Sequence, residues 1–369
     1  MIKVSQGCLG EEELAQVKEA FAYGYFGLAD KVDQFEEALR RYLGVEQVIA
    51  TSTGTAALHL AVDALGIGKG DEVIVPSLTF VGSFQAISAT GATPVPCDVY
   101  PDTLLADTED IRRCLTPRTK AIMPVHYASN PCNLDELLAI AGEHRLRIIE
   151  DAAHALGSRY RGKMIGSFGD VTCFSFDSIK NITCGEGGAV VCRDAALADF
   201  IRQKRLVGID RQSHTGFWKD RTSTYEVRTQ GYRYHMSNIN AAIGLAQLPK
   251  LDGFIARRRQ ICRRYDEVFK GHPRIQCLNI DYGQVAPHIY VIRVKDGRQD
   301  GLIDYLKERD IETGINYVPN HRHPFYRQTA RPLPETDKAY KEILTLPLHC
   351  RLSDEDVAWV IGSVTGGLK

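Results

Sequence analysis

Neither charge dominates this 369-residue chain: 45 lysines and arginines face 46 aspartates and glutamates, for a net charge of -1. Without a broad positive field, neither a nucleic acid nor an anionic membrane is expected as a partner. No apolar run approaches the ~20 residues that cross a bilayer. The first residues, MIKVSQGCLGEEELAQ, reach acidic positions without the apolar stretch of a secretory leader. The ten cysteines are scattered from Cys8 to Cys350 with no C-x-x-C pair. A chain of this length does not need disulfides to hold it together, so reduced thiols in a cytoplasmic protein are expected. Internal repeats and low-complexity linkers are missing as well.

What is there is a rhythm of short β-branched runs separated by turns and helix-like segments. EQVIATS (46–52), DEVIVPS (71–77), TPVPCDV (93–99), KAIMPVHY (120–127), RIIEDAA (147–153), DVTCFSF (170–176) and GGAVVCR (187–193) are seven such runs. Several are far enough apart for crossover helices, which predicts an α/β domain with a seven-stranded, mostly parallel sheet covered on both faces. Leu58, Val62 and Leu65 predict a helix over 55–65, and Asn133 caps another running to residue 142. Between Asp194 and Tyr234 the pattern breaks, and 208–231 reads as an irregular excursion near a site or subunit contact, or as a solvated loop. Residues 237–269 read as a long helix or helix pair kinked at Pro249. HIYVIRV (288–294) then reads as a strand, 300–310 as a helix, and Ser353 caps a last helix burying Val357, Val360 and Ile361. Domains over 1–248 and 249–369 follow, the second a small α+β unit.

Three segments carry candidate chemistry. DVTCFSFDSIKNITCGEGG puts Ser175 and Lys180 after a strand, at the edge where parallel sheets expose ligands, with Gly185, Gly187 and Gly188 allowing tight backbone turns. RIIEDAAHALG puts Glu150 and Asp151 at a strand end, where an acid can meet a cationic ring nitrogen. ATSTGTAALHL sets Thr53, Gly54 and Thr55 between a strand and a helix start, where free amide N–H groups suit a phosphate. Each also has an ordinary reading: a solvated lysine, a glycine turn, an acid or threonine capping a turn. His321 and His323, with His349 as a third ligand, would be a weak metal site, and none is expected. The five arginines of 256–265 read as a solvated or inter-subunit face.

Taken together and in this order, these segments resemble the sugar-nucleotide aminotransferases, pyridoxal-phosphate enzymes of the DegT/DnrJ/EryC1/StrS family with the aspartate-aminotransferase fold (fold type I). The resemblance runs from FGLADKVDQFEEALRRYLG through STGTAALHL, GDEVIVPSLTFVGS, EDAAHALGS and KNITCGEGG to MSNINAAIGLAQL and TLPLHCRLSDEDV.

The resemblance implies a role for each site residue. Lys180 is the lysine that carries pyridoxal 5'-phosphate and, once released, moves the substrate proton. Asp151 is the acid that keeps the pyridine nitrogen protonated, Phe80 stacks on the ring and His154 lies beside it. Thr53, Gly54, Thr55 and Ser175 hold the phosphate, and Asn181 belongs to the same turn as Lys180. Arg233 and His235 stand where the family often carries asparagine and arginine. An arginine offers a phosphate a charged fork, so Arg233 is assigned either to the cofactor phosphate, across a homodimer, or to a substrate diphosphate. Tyr317, His321 and His323 fall in the segment that meets the substrate. The implied reaction passes an amino group from L-glutamate, through pyridoxamine 5'-phosphate, to a 3-keto or 4-keto deoxysugar linked to dTDP, UDP or GDP, for lipopolysaccharide O-antigen or another glycan. Dehydratase relatives carry histidine at the place of Lys180, which counts against that alternative. A non-catalytic regulatory protein is a second alternative, disfavoured by retention of Lys180 and Asp151.

Overall fold

The computed structural model describes residues 1–210 and 225–369. All seven predicted strands form: β1 (Gln47–Thr51), β2 (Glu72–Pro76), β3 (Thr93–Cys97), β4 (Thr119–Ile122), β5 (Arg147–Asp151), β6 (Val171–Ser175) and β7 (Gly188–Cys192). They make one sheet in the order β1-β7-β6-β5-β4-β2-β3. Only β7 runs against its neighbours; the other pairings are parallel. Burial on both faces explains the continuous apolar runs. Alternate residues supply two separate cores, Val48, Ile74, Ile148 and Phe174 on one side and Ile49, Val73, Ile149 and Cys173 on the other.

A second sheet of three antiparallel strands, β8 (Ile275–Cys277), β9 (Tyr290–Val294) and β10 (Ile343–Leu346), is the centre of the smaller α+β domain. It shares a third core with the helices Leu251–Phe269, Gln299–Lys307 and Asp354–Gly367. Ser353 caps the last of these through a reciprocal bond pattern with Asp356. The predicted kink falls where Leu248–Lys250 tightens into a 3-10 turn between the helices Asn238–Gln247 and Leu251–Phe269.

One element departs from the sequence reading. The stretch after Asp194 begins with a helix, Ala195–Lys204, capped by Asp194 and buried mainly through Ala198 and Ile201. Two apolar anchors among charged residues leave little periodicity to detect. Residues 211–224 of the predicted excursion lie outside the described residues; those on either side meet in the bridges Ile209–Val227 and Leu206–Arg233. Among the described residues no helix is long and apolar enough to cross a membrane.

Candidate active site

The carboxyl ends of β1, β2, β5 and β6 converge on one edge, the position where α/β sheets receive ligands. After β1, Thr53 caps the helix Gly54–Ala64, its hydroxyl accepting from the Ala56 amide at 3.0 Å. The amides of Gly54 and Thr55 are the first two of that helix and have no backbone acceptor among the described residues, which makes them donors for an anion. Packing requires Gly54 itself: a Cβ there would lie 2.8 Å from the Ser175 Cβ. Gly188 has a different role from the one its GEGG run predicts. A Cβ at Gly188 would lie 2.4 Å from the Thr53 carbonyl oxygen, so this glycine lets β7 pass behind the anion loop.

Lys180 is presented by a turn. The Asp177 carboxylate accepts from the Ile179 amide at 3.1 Å, and the Lys180 amide donates to the Asp177 carbonyl. Phe176 closes the loop, donating to the Gly187 carbonyl and accepting from the Cys184 amide. Burial pushes the Lys180 amine down to about 8, against the pull of Asp177 and Asp151. Asp151 ends β5. Its two oxygens accept from the Ser83 hydroxyl at 2.7 Å and the Ala153 amide at 3.1 Å. Burial raises its carboxyl, while those donors and the nearby charge of Lys180 oppose the rise. A buried acid in this state gains most from a cationic N–H partner.

Phe80, the residue before the helix Val81–Ser88, is 56% exposed although it sits at the sheet edge. Its ring centroid lies 5.8 Å from that of Tyr317, whose hydroxyl meets His154 Nε2 at 2.9 Å. His154 is buried, and both burial and the charge of Lys180 hold it neutral. Its Nδ1 has no hydrogen-bond partner among the described residues.

Other expected residues turn elsewhere. The Asn181 side-chain amide donates to the carbonyls of Leu156 at 3.2 Å and Ala286 at 3.0 Å, which anchors the lysine turn. His321 is locked between Ser77 (2.8 Å) and Asp337 (3.3 Å), and Asn320 beside it donates to the carbonyls of Ser77 and Thr79. This pair clamps the turn that presents Phe80. His323 makes no side-chain hydrogen bond among the described residues, and His349 donates to the Lys3 carbonyl at 3.2 Å. No three His, Cys, Asp or Glu side chains among the described residues are placed to hold a metal ion. Arg233 is exposed, two residues before His235, which bridges to Thr51 at the start of the anion loop.

Sequence reasoning missed Ser83 and His288. Ser83 links Asp151 to Thr79 (3.1 Å), and His288 Nε2 lies 3.5 Å from the Lys180 amine. Each is a polar residue inside an otherwise apolar run, VGSFQAI and PHIYVIRV, and that is the signal that marks them. Behind the site, Glu150 is fully occupied, accepting from Gly169 and Thr172 at 2.8 Å each and meeting His126 at 3.0 Å. It is a structural acid, and Asp151 alone faces the site.

The donor set therefore suits a phosphorylated aromatic aldehyde. Free amides and Ser175 would take the phosphate, Asp151 a protonated ring nitrogen, Phe80 a ring face and Lys180 the aldehyde carbon. Truncating Phe80 to alanine is expected to weaken cofactor retention by about 1–3 kcal/mol through lost ring contact. Fluorescence titration of the stripped protein reads this directly, and unchanged affinity would remove Phe80 from the ring.

Comparison with known proteins places the chain as a whole. The chain is 39% identical to the spore coat polysaccharide biosynthesis protein SpsC of Bacillus subtilis, over 98% of this chain and 95% of that protein. The crystal structure of the aminotransferase TlmJ from Streptoalloteichus hindustanus superposes with a TM-score of 0.92 at 37% identity, covering 100% of this chain and 99% of the other. The sugar aminotransferase Spr1654 from Streptococcus pneumoniae, described as putative and solved in a PLP form, gives 0.92 at 29% identity, over 99% and 98%. The architecture is that of the fold type I pyridoxal-phosphate transferases. Residues 7–365 match the model of the DegT/DnrJ/EryC1/StrS aminotransferases, and the chain belongs to that family.

Proposed function

We propose that this chain is a pyridoxal-phosphate aminotransferase that moves an amino group from L-glutamate to the C3 or C4 keto group of a nucleotide-linked deoxysugar, with pyridoxamine 5'-phosphate formed between the two half-reactions. The observation that carries the reading is geometric: one sheet edge brings together the half-buried Lys180 on its Asp177 turn, Asp151 held by Ser83 and Ala153, and the free amides of the Gly54–Thr55 helix start. The resemblance to a polysaccharide-biosynthesis protein and to solved sugar aminotransferases supports the acceptor class.

Bound here, the cofactor supplies a ring that accepts the electron pair released when the donor carbon loses its proton. The protein does the rest. Lys180 gives the aldehyde an attachment point and then, as a free amine, takes the proton from the donor carbon and returns one to the sugar carbon. Asp151 holds the ring nitrogen cationic, and Ser83 fixes the carboxylate. Gly54, Thr55 and Ser175 hold the phosphate, while Phe80 covers the ring. Neutral His154 and the Tyr317 hydroxyl bonded to it line the substrate side. Arg233 is exposed on one chain, which suits a homodimer in which it reaches a phosphate of the partner's site.

Two measurements test this. Purified protein with L-glutamate and a panel of dTDP-, UDP- and GDP-linked keto-sugars should release 2-oxoglutarate, and NMR of the product should fix the aminated carbon and its configuration. No 2-oxoacid from any amino donor, together with an unchanged cofactor absorption band, would favour non-catalytic binding. The second measurement is pH dependence. Only the neutral amine attacks the aldehyde, so cofactor uptake by the stripped protein should rise about tenfold per pH unit and level off above about 8. An inflection near 10.5, the ordinary lysine value, would show that burial does not govern this amine.

A further inference from the structure

We propose that His288 is a positioning residue for Lys180: its Nε2 accepts a hydrogen bond from the lysine amine and holds that amine in place whenever it is not tied to the cofactor. The inference rests on the assignment of Lys180 above and adds a partner that the family resemblance did not supply.

His288 is 2% exposed, and its Nε2 lies 3.5 Å from the Lys180 Nζ. Its Nδ1 has no hydrogen-bond partner, so the lysine is the ring's one polar contact among the described residues. A buried imidazole with nothing else to bind is costly unless that contact matters. Its backbone is fixed as well. The His288 amide donates to the Ser129 hydroxyl at 3.0 Å, and the same hydroxyl donates to the His154 carbonyl. Ser129 and its neighbour Ala128 both occupy the left-handed region, with φ of 69° and 50°, a conformation non-glycine residues hold only when the surroundings impose it. One strained serine thus sets two histidines whose ring centroids are 4.6 Å apart.

The charges around the pair decide which partner donates. Burial, Lys180, His154 and Arg258 all disfavour a charge on His288, which leaves its Nε2 lone pair available. Burial lowers Lys180 to about 8 against the pull of Asp177 and Asp151, which still leaves the amine mostly charged at neutral pH, so the ammonium donates and the imidazole accepts. The bond has to break when Lys180 bonds to the cofactor and can re-form when the amine is released. A long, flexible side chain in a site that must return a proton to one carbon gains from such a resting place. His288 acts through Lys180 and touches no reacting atom.

The test uses the full-length protein stripped of its cofactor, with competitive acetylation by acetic anhydride across pH and mass spectrometry of the Lys180 peptide. Wild type should titrate near 8. His288→Phe keeps a planar ring but no acceptor, and should lower the Lys180 inflection by about 1 pH unit. His288→Gln supplies an acceptor oxygen and should restore it. In the reloaded enzyme His288→Phe should lower kcat roughly tenfold, with the KM for the amino donor little changed. If Lys180 in His288→Phe titrates like wild type while circular dichroism shows both folded, the proposal is overturned; if His288→Phe fails to fold, His288→Ala takes its place in the same assay. Borohydride mapping distinguishes the two assignments: a label away from Lys180 removes the cofactor role, while a shifted Lys180 titration would still establish the pairing.

Discussion

Replacing Lys180 by alanine is expected to leave the fold intact and lower amino transfer by at least about 10⁴-fold, the range in which a lost general base and a lost nucleophile fall together. The side chain follows a turn closed by the Asp177 carboxylate and the Phe176 backbone, and those bonds do not involve its amine. Truncation removes the amine and leaves the buried His288 ring without that partner, a loss of about 1–3 kcal/mol that the fold should survive. Two separate functions vanish with one nitrogen. The cofactor loses its covalent anchor, and the donor carbon loses the base that takes its proton. The neighbours are poor substitutes: burial pushes the His154 and His288 imidazoles well below the usual histidine range, which makes them weak bases, and both Asp151 oxygens are engaged by Ser83 and Ala153. Borohydride reduction of cofactor-loaded wild type, followed by peptide mapping, should label Lys180, and the K180A protein should carry no label. Appreciable transamination by K180A would show that another group is the base.

The readable part of this protein is the part encoded locally. Strands buried on both faces must be apolar throughout, so β1 to β7 stand out as runs such as EVIVP and GAVVC. Thr53, Asn133 and Ser353 are visible as caps because a cap is a short-range bond. Lys180, Asp151 and the Gly54–Thr55 amides are candidates in the sequence because they stand at or shortly after strand ends and match the family pattern. What a side chain does once it arrives is less readable. Asn181 and His321 lie beside the site in sequence, yet both turn inward to fix turns. His288 is 108 residues from the lysine it meets, and only the packing of the β9 approach against the lysine turn brings them together. The glycines of GEGG look like a ligand loop, but Gly188 answers to a backbone neighbour more than 130 positions away, Thr53.

Changing Asp151 to asparagine is expected to separate catalysis from binding, lowering kcat roughly 10³-fold while cofactor affinity changes by less than about tenfold. Asparagine is nearly isosteric, and its one side-chain oxygen can still accept from Ser83, so the change removes the charge and the acceptor facing the Ala153 amide with little change of shape. A carboxylate stabilises a proton on the ring nitrogen; a neutral amide does not. In the resting state that proton adds little to retention, because the phosphate amides, the Phe80 face and the Lys180 attachment all remain. It counts when the donor carbon gives up its proton and negative charge moves into the ring, since a cationic nitrogen stabilises that charge and a neutral one does not. A loss of about 4 kcal/mol at the transition state corresponds to the expected factor. Stopped-flow measurement of the glutamate half-reaction, with cofactor titration in parallel, separates the two quantities. Loading D151N with a cofactor methylated on its ring nitrogen restores a permanent positive charge without a carboxylate, and should recover much of the lost rate. If D151N keeps kcat within about threefold of wild type, the ring nitrogen has another partner; if affinity falls as far as kcat, Asp151 is chiefly an anchor.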